Sequence, residues 1–194
     1  MKRVILFALA IATAACGDLT RQGTASSYLI VSSLQGASGA TPNELGGSVF
    51  SDVITVVDDV PTVFNDIGQV EFQLGLKDAG PTGNPNTPTT NNAITVNRYR
   101  VRFIRSDGRN TPGMDVPYGF DGAFTVTVLD KASAGFNLVR NQAKREAPLS
   151  ALLDGGHIST IAEVTFYGFD QTGREVSATA QISVNFGNFG DPKQ

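Results

Sequence analysis

The sequence predicts an all-β chain folded as a single antiparallel β-sandwich of about eight strands. Three observations predict it. β-branched residues and the 21 glycines are plentiful, whereas strong helix formers are sparse. Apolar and polar residues alternate with period two in several segments. Clusters of Gly, Pro, Asn and Asp separate those segments at short intervals. The chain of 194 residues is 41% hydrophobic and 17% charged. It can therefore build one packed core and does not have the composition of a disordered polymer.

The strands are expected near residues 27–34, 49–57, 68–77, 93–105, 122–130, 136–145, 158–169 and 175–186. The first two are runs bounded by turn formers. In the third, Val70, Phe72, Leu74 and Leu76 alternate with Glu71, Gln73 and Lys77. In the fourth, Ile94 and Val96 share one parity, while Tyr99, Val101 and Phe103 share the other. A bulge near Asn97-Arg98 reconciles them, because one extra residue reverses which face a side chain takes. Phe124, Val126 and Val128 alternate with Thr125 and Thr127 in the fifth. A single helical turn is expected within 147–156, before the seventh strand. The last strand alternates most clearly, with Val176, Ala178, Ala180, Ile182, Val184 and Phe186 on one face.

The final hairpin can be placed in register. A three-residue loop Gln171-Thr172-Gly173 puts Gly173 at the left-handed position of a type I turn plus bulge. Phe166 then faces Ala178, Val164 faces Ala180 and Ala162 faces Ile182. All six point to the core, so turn chemistry and hydrophobic pattern agree. The strand number, the long final hairpin and the turn before it resemble the immunoglobulin-like and fibronectin-III-like layout. The chain lacks the cysteine pair and core Trp of antibody domains.

The N-terminus has a different composition. Lys2 and Arg3 precede the unbroken apolar run Val4–Ala12, and small residues follow. Charge, short apolar run and small residues in that order form a secretory signal peptide. The run is far shorter than the roughly 20 residues a membrane-spanning helix needs. Two cleavage sites compete. Ala12-Thr13-Ala14 suits ordinary signal peptidase, which would release a soluble secreted protein. Thr13-Ala14-Ala15-Cys16 resembles the lipobox of bacterial lipoproteins, with Thr13 where that pattern prefers Leu. Cys16 is the only cysteine in the chain. A lone exposed thiol is a liability outside the cytosol, and acylation removes it.

The lipobox resemblance implies a chain that starts at Cys16 and is anchored to a membrane by several acyl chains, which together hold stably. Residues 1–15 are then signal peptide, 16–26 a lipidated tether and 27–190 the sandwich. Gly17 rather than Asp follows the cysteine, which favours the outer membrane of a bacterial envelope. Removing Lys2 and Arg3 leaves 13 basic against 18 acidic residues, a balance of −5. That charge argues against nucleic acid as a partner.

Catalytic signals are weak. His157 is the only histidine, and no Gly-x-Ser-x-Gly elbow accompanies it. One histidine and a lipidated cysteine cannot supply a zinc site. Asp58 and Asp59 are adjacent, so on a strand they point to opposite faces. Asp107, Asp115 and Asp121 share one segment and are either solvated loop acids or a calcium site; their spacing matches no EF-hand pattern, and the first reading is preferred. Arg98, Arg100 and Arg102 share one strand face. They form either a stripe for an anionic ligand or a solvated sheet face paired with Glu71 or Glu163, and the second is preferred. The loops at 78–92 and 106–121, the latter with Tyr118, are the expected contact surfaces.

These readings point to a non-enzymatic, cofactor-free module of the cell envelope, structural, adhesive or ligand-binding, with an envelope protein or polymer as partner. The alternative is an accessory subunit of a larger envelope or secretion assembly. Such a subunit would dock by strand addition at 136–145.

Overall fold

The computed structural model describes residues 24–190. The leader, the lipobox and Cys16 lie outside the described residues. The chain is an all-β sandwich with short helical pieces. Its strands are β1 (Ser27–Ala37), β2 (Ser48–Asp52), β3 (Thr55–Val57), β4 (Val60–Thr62), β5 (Asp66–Leu76), β6 (Ile94–Ile104), β7 (Phe120–Val128), β8 (Lys131–Val139), β9 (His157–Asp170) and β10 (Glu175–Gly187). One sheet has the order β1-β5-β8 and the other β2-β10-β9-β6-β7, with a small β3-β4 ribbon beside them. The sheets curl towards each other where β7 meets β8 and where β1 meets β10, so the sandwich resembles a half-barrel. Among the described residues the strands pair antiparallel except β2 with β10, which is parallel.

Two strands differ from expectation. The segment 49–57 is not one strand. Asp52 accepts the Thr55 hydroxyl (3.1 Å) and the Phe189 N–H (3.1 Å), and the chain turns away after it. Asp58 and Asp59 have φ of 50° and 62°. They are the two central residues of the β3-β4 hairpin, which needs positive φ at both. They do not sit on opposite faces of a strand. The segment 136–145 is also split. β8 ends at Val139, and α1 (Asn141–Arg145) follows. The strand begins upstream at Lys131, and its inward Ala132 and Ala134 carry little hydrophobic signal.

The remaining patterns hold. Phe166 pairs with Ala178, Val164 with Ala180 and Ala162 with Ile182. Gly173 has φ +77°. The turn is tied by Asp170, whose Oδ1 accepts the N–H groups of Thr172 (2.8 Å) and Arg174 (2.9 Å) and the Thr172 hydroxyl (2.7 Å). Burial pushes this carboxyl up, but those donors outweigh it and hold it below the usual carboxylate range.

The bulge in β6 lies where the parity changes, between Val96 and Arg98. Val96 opposes Gly168 of β9, and Arg98 opposes Tyr167. A Cβ on Gly168 would lie 2.4 Å from the Thr95 carbonyl oxygen, so the close approach of β6 and β9 requires glycine there. Inward side chains from both sheets meet in one aromatic cluster. The Phe166 ring centroid lies 5.0 Å from Phe72 and 5.5 Å from Phe136, and Tyr99 stacks on Phe124 at 5.7 Å. Offset and edge-to-face contacts of this kind add to the burial of the rings.

One end of the core holds a buried ion pair. Lys144 of α1 donates from Nζ to Asp66 Oδ1 at 2.8 Å, with side-chain exposures of 1% and 0%. The same oxygen accepts the Gly39 N–H at 2.9 Å. Neighbouring Asn65 accepts the Asn141 N–H (2.7 Å) and so fixes the start of α1. The dipeptide Asn65-Asp66 thereby holds both ends of a five-residue helix too short to persist alone.

Candidate functional site: a cleft beside the β6 bulge

The bulge turns Arg98, Arg100 and Arg102 outward onto the five-stranded sheet. Arg100 stands opposite Thr165 and Asp121, and Arg102 opposite Glu163. Glu71 lies on β5 in the other sheet and does not pair with them. The surrounding face is polar. Thr165 and Thr179 share a hydroxyl hydrogen bond (3.0 Å), as do Thr95 and Thr127 (3.1 Å). Arg100 and Arg102 thus belong to a solvated face with acids across from them.

Arg98 has a different setting. Its guanidinium carbon lies 4.3 Å from the Tyr167 ring centroid. It lines a cleft of about 600 Å³ that runs between the start of β1 and the neighbouring ends of β6, β9 and β10. Lys77 enters from the other sheet, its Nζ 5.1 Å from the Tyr28 ring centroid. Glu175 and Phe169 complete the rim, and Ser27 lies in the wall. Among the described residues the buried Ser27 hydroxyl has no hydrogen-bond partner. A cleft of this size falls in the usual range for small-molecule sites. The residues just before β1 are tied to the domain, since Ala25 is buried and Ser26 O accepts the Lys77 N–H (3.4 Å).

The acidic residues at 107–121 do not converge. Asp107 is gripped by Arg105 (2.6 Å) and Arg109 (2.9 Å), and it also accepts the Arg109 N–H. The Arg105 guanidinium, helped by Arg109, holds its carboxyl far below the usual range. Asp115 accepts the Thr111 N–H at 3.1 Å and closes its own turn. Asp121 sits on β7 opposite Arg100. Among the described residues no group of three or more His, Cys, Asp or Glu side chains is arranged to hold a metal ion. The segment is ordered by Val116 and Pro117, which are buried, while Met114 and Tyr118 are exposed. The Tyr118 ring lies against Gly113, where φ is +78°.

His157 is exposed at the start of β9. The 78–92 loop is exposed along most of its length and is stapled by its own bonds, including Asn86 N–H to Ala79 O (2.9 Å). Of the segment 136–145, residues up to Val139 belong to the edge strand β8, and 141–145 leave the sheet as α1. Among the described residues no helix is long and apolar enough to cross a membrane.

Of the cleft residues, the sequence pattern singled out only Arg98. Tyr167 was within reach of the same reasoning, because extending the β9-β10 register puts it outward beside Ser177. Tyr28, Lys77 and Ser27 come from the opposite sheet, and no periodicity links them to β6. No protein-family model matches the chain, and no curated protein matches it significantly.

Proposed function

We propose that this chain is a lipid-anchored bacterial envelope protein whose sandwich is a non-enzymatic binding module. The observation that carries the anchor is Cys16, the one cysteine, set directly behind Thr13-Ala14-Ala15 at the end of a signal-type leader. Ala25, which is buried in the domain, follows about nine positions later. Such a short connection holds the sandwich close to the lipid, since an extended residue spans at most about 3.6 Å. The cleft beside the bulge supports the binding role, because it joins cationic, acidic and aromatic side chains at one opening.

Intact mass of the purified mature protein tests the anchor. The expected product starts at Cys16 and carries two or three acyl chains, and it partitions with the envelope membranes. A Cys16→Ser variant should lose both the lipid mass and the membrane. An unacylated product cut after Ala14 would replace this reading with a soluble secreted one. Retention of the wild-type protein on isolated envelope polymers tests the binding role.

A further inference from the structure

We infer that the sandwich stands end-on against the lipid surface, with Leu129 and Phe169 dipping into the interface. The inference rests on the lipid-anchor reading and names the face that meets the membrane. Three observations lead to it.

The first is where the strands begin and end. Ser27 at the start of β1 pairs with Leu76 at the end of β5. Ile94 at the start of β6 lies between Val128 of β7 and Asp170 of β9. The Leu74 N–H donates to the Asp130 carbonyl, and Phe169 pairs with Glu175 at the start of β10. The segments 77–93, 129–130 and 171–174 therefore gather at the end of the sandwich where β1 starts. The 105–119 segment and α1 lie at the other end.

The second is reach. Ala25 lies nine positions after Cys16. Chain of that length spans at most about 30 Å. β10 alone has 13 residues and extends about 40 Å. An anchored domain can therefore meet the bilayer with its near end, or lie down on a sheet face. It cannot stand on its far end.

The third separates those two postures. The outer face of one sheet carries Arg100, Arg102, Glu163 and Gln181, and that of the other carries Gln69, Glu71, Gln73 and Ser133. Pressing either face onto lipid would strip water from these groups and replace it with nothing. The near end instead presents Leu129 in the β7-β8 turn, 48% exposed, and Phe169 at the end of β9, 40% exposed. Tyr28, exposed beside them, has the apolar body and polar tip that suit an interface. The loop at 78–92 has Asp78 as its one ionisable residue, so it can rest among headgroups. Along the chain Lys77, Lys131 and Arg174 are offset by their neighbours Asp78, Asp130 and Glu175. Apolar side chains, not net charge, therefore make the contact.

The chain has no tryptophan, so a single one introduced by substitution is an unambiguous fluorescent probe. Leu129→Trp at the near end and Met114→Trp at the far end are each made in the lipidated mature protein. Both positions are exposed, so melting temperatures should stay near that of the wild type. Each variant is reconstituted on phosphatidylcholine vesicles whose acyl chains are brominated close to the headgroup, with unbrominated vesicles as reference. The emission of Leu129→Trp should fall by about twofold, and that of Met114→Trp should not change. Adding phosphatidylglycerol should leave both results as they are. Three results would overturn the inference and leave the anchor standing. They are quenching of Met114→Trp, no quenching of Leu129→Trp in protein that floats with the vesicles, and quenching of Leu129→Trp only when phosphatidylglycerol is present. Protein that does not float with the vesicles would overturn the anchor, and this inference with it.

Discussion

Replacing Lys144 with Met removes one half of a fully buried ion pair without emptying the space the side chain fills. The magnitude follows from what stays behind. Asp66 keeps one hydrogen bond, from the Gly39 N–H at 2.9 Å, and its second oxygen already lacks a partner. A buried carboxylate stripped of its counter-charge costs about 3–5 kcal/mol. A domain of this size has a total stability of about 5–15 kcal/mol. Each kcal/mol shifts the melting temperature by about 2–4 °C, so the variant should melt roughly 10 °C lower. Urea unfolding followed by far-UV circular dichroism measures the loss directly. The double variant Asp66→Leu/Lys144→Met should recover a large part of it, because the uncompensated charge is then gone. A single-variant loss under about 1 kcal/mol would refute the reasoning. So would a double variant that is weaker than the single one.

Two further perturbations probe the elements that shape the site. Gly168→Ala drives a methyl into the Thr95 carbonyl at the β6 bulge, and neither backbone can retreat within paired strands. It should cost about 1–3 kcal/mol, measured by urea unfolding, whereas Gly83→Ala in the open 78–92 loop should cost almost nothing. Asp170→Asn removes a carboxylate whose folded pKa is depressed by the Thr172 and Arg174 donors. Depression means the unfolded chain binds the proton more readily, so the contribution is fully present well above pH 4. It fades as pH falls through the folded value. The stability gap between wild type and Asp170→Asn should therefore be widest near pH 7 and narrow as pH falls through and below the ordinary aspartate range. A gap that grows on acidification would contradict the assigned bonds.

Local chemistry is legible in this sequence where pattern and turn reinforce each other. The β9-β10 register follows from Gly173 and two alternating strands, and the bulge follows from the parity change between Val96 and Tyr99. The Asp58-Asp59 hairpin is harder to read, because aspartate takes positive φ less readily than glycine and the flanking strands have only three residues each. β8 is obscured because alanine and glycine fill most of its first half. The ion pair joins residues far apart in the chain, and the cleft joins opposite sheets. Both depend on how the layers are brought together, which no local period encodes.

The strand order has a consequence for when the chain can fold. β10, the last strand, lies inside its sheet between β9 and the much earlier β2. β2 can find its parallel partner only after Gly187 has been synthesised, so the five-stranded sheet cannot close on a growing chain. Non-local pairing of this kind also folds slowly. For the exported protein proposed above, that delay would keep the chain threadable through a translocation channel until its last strand has passed.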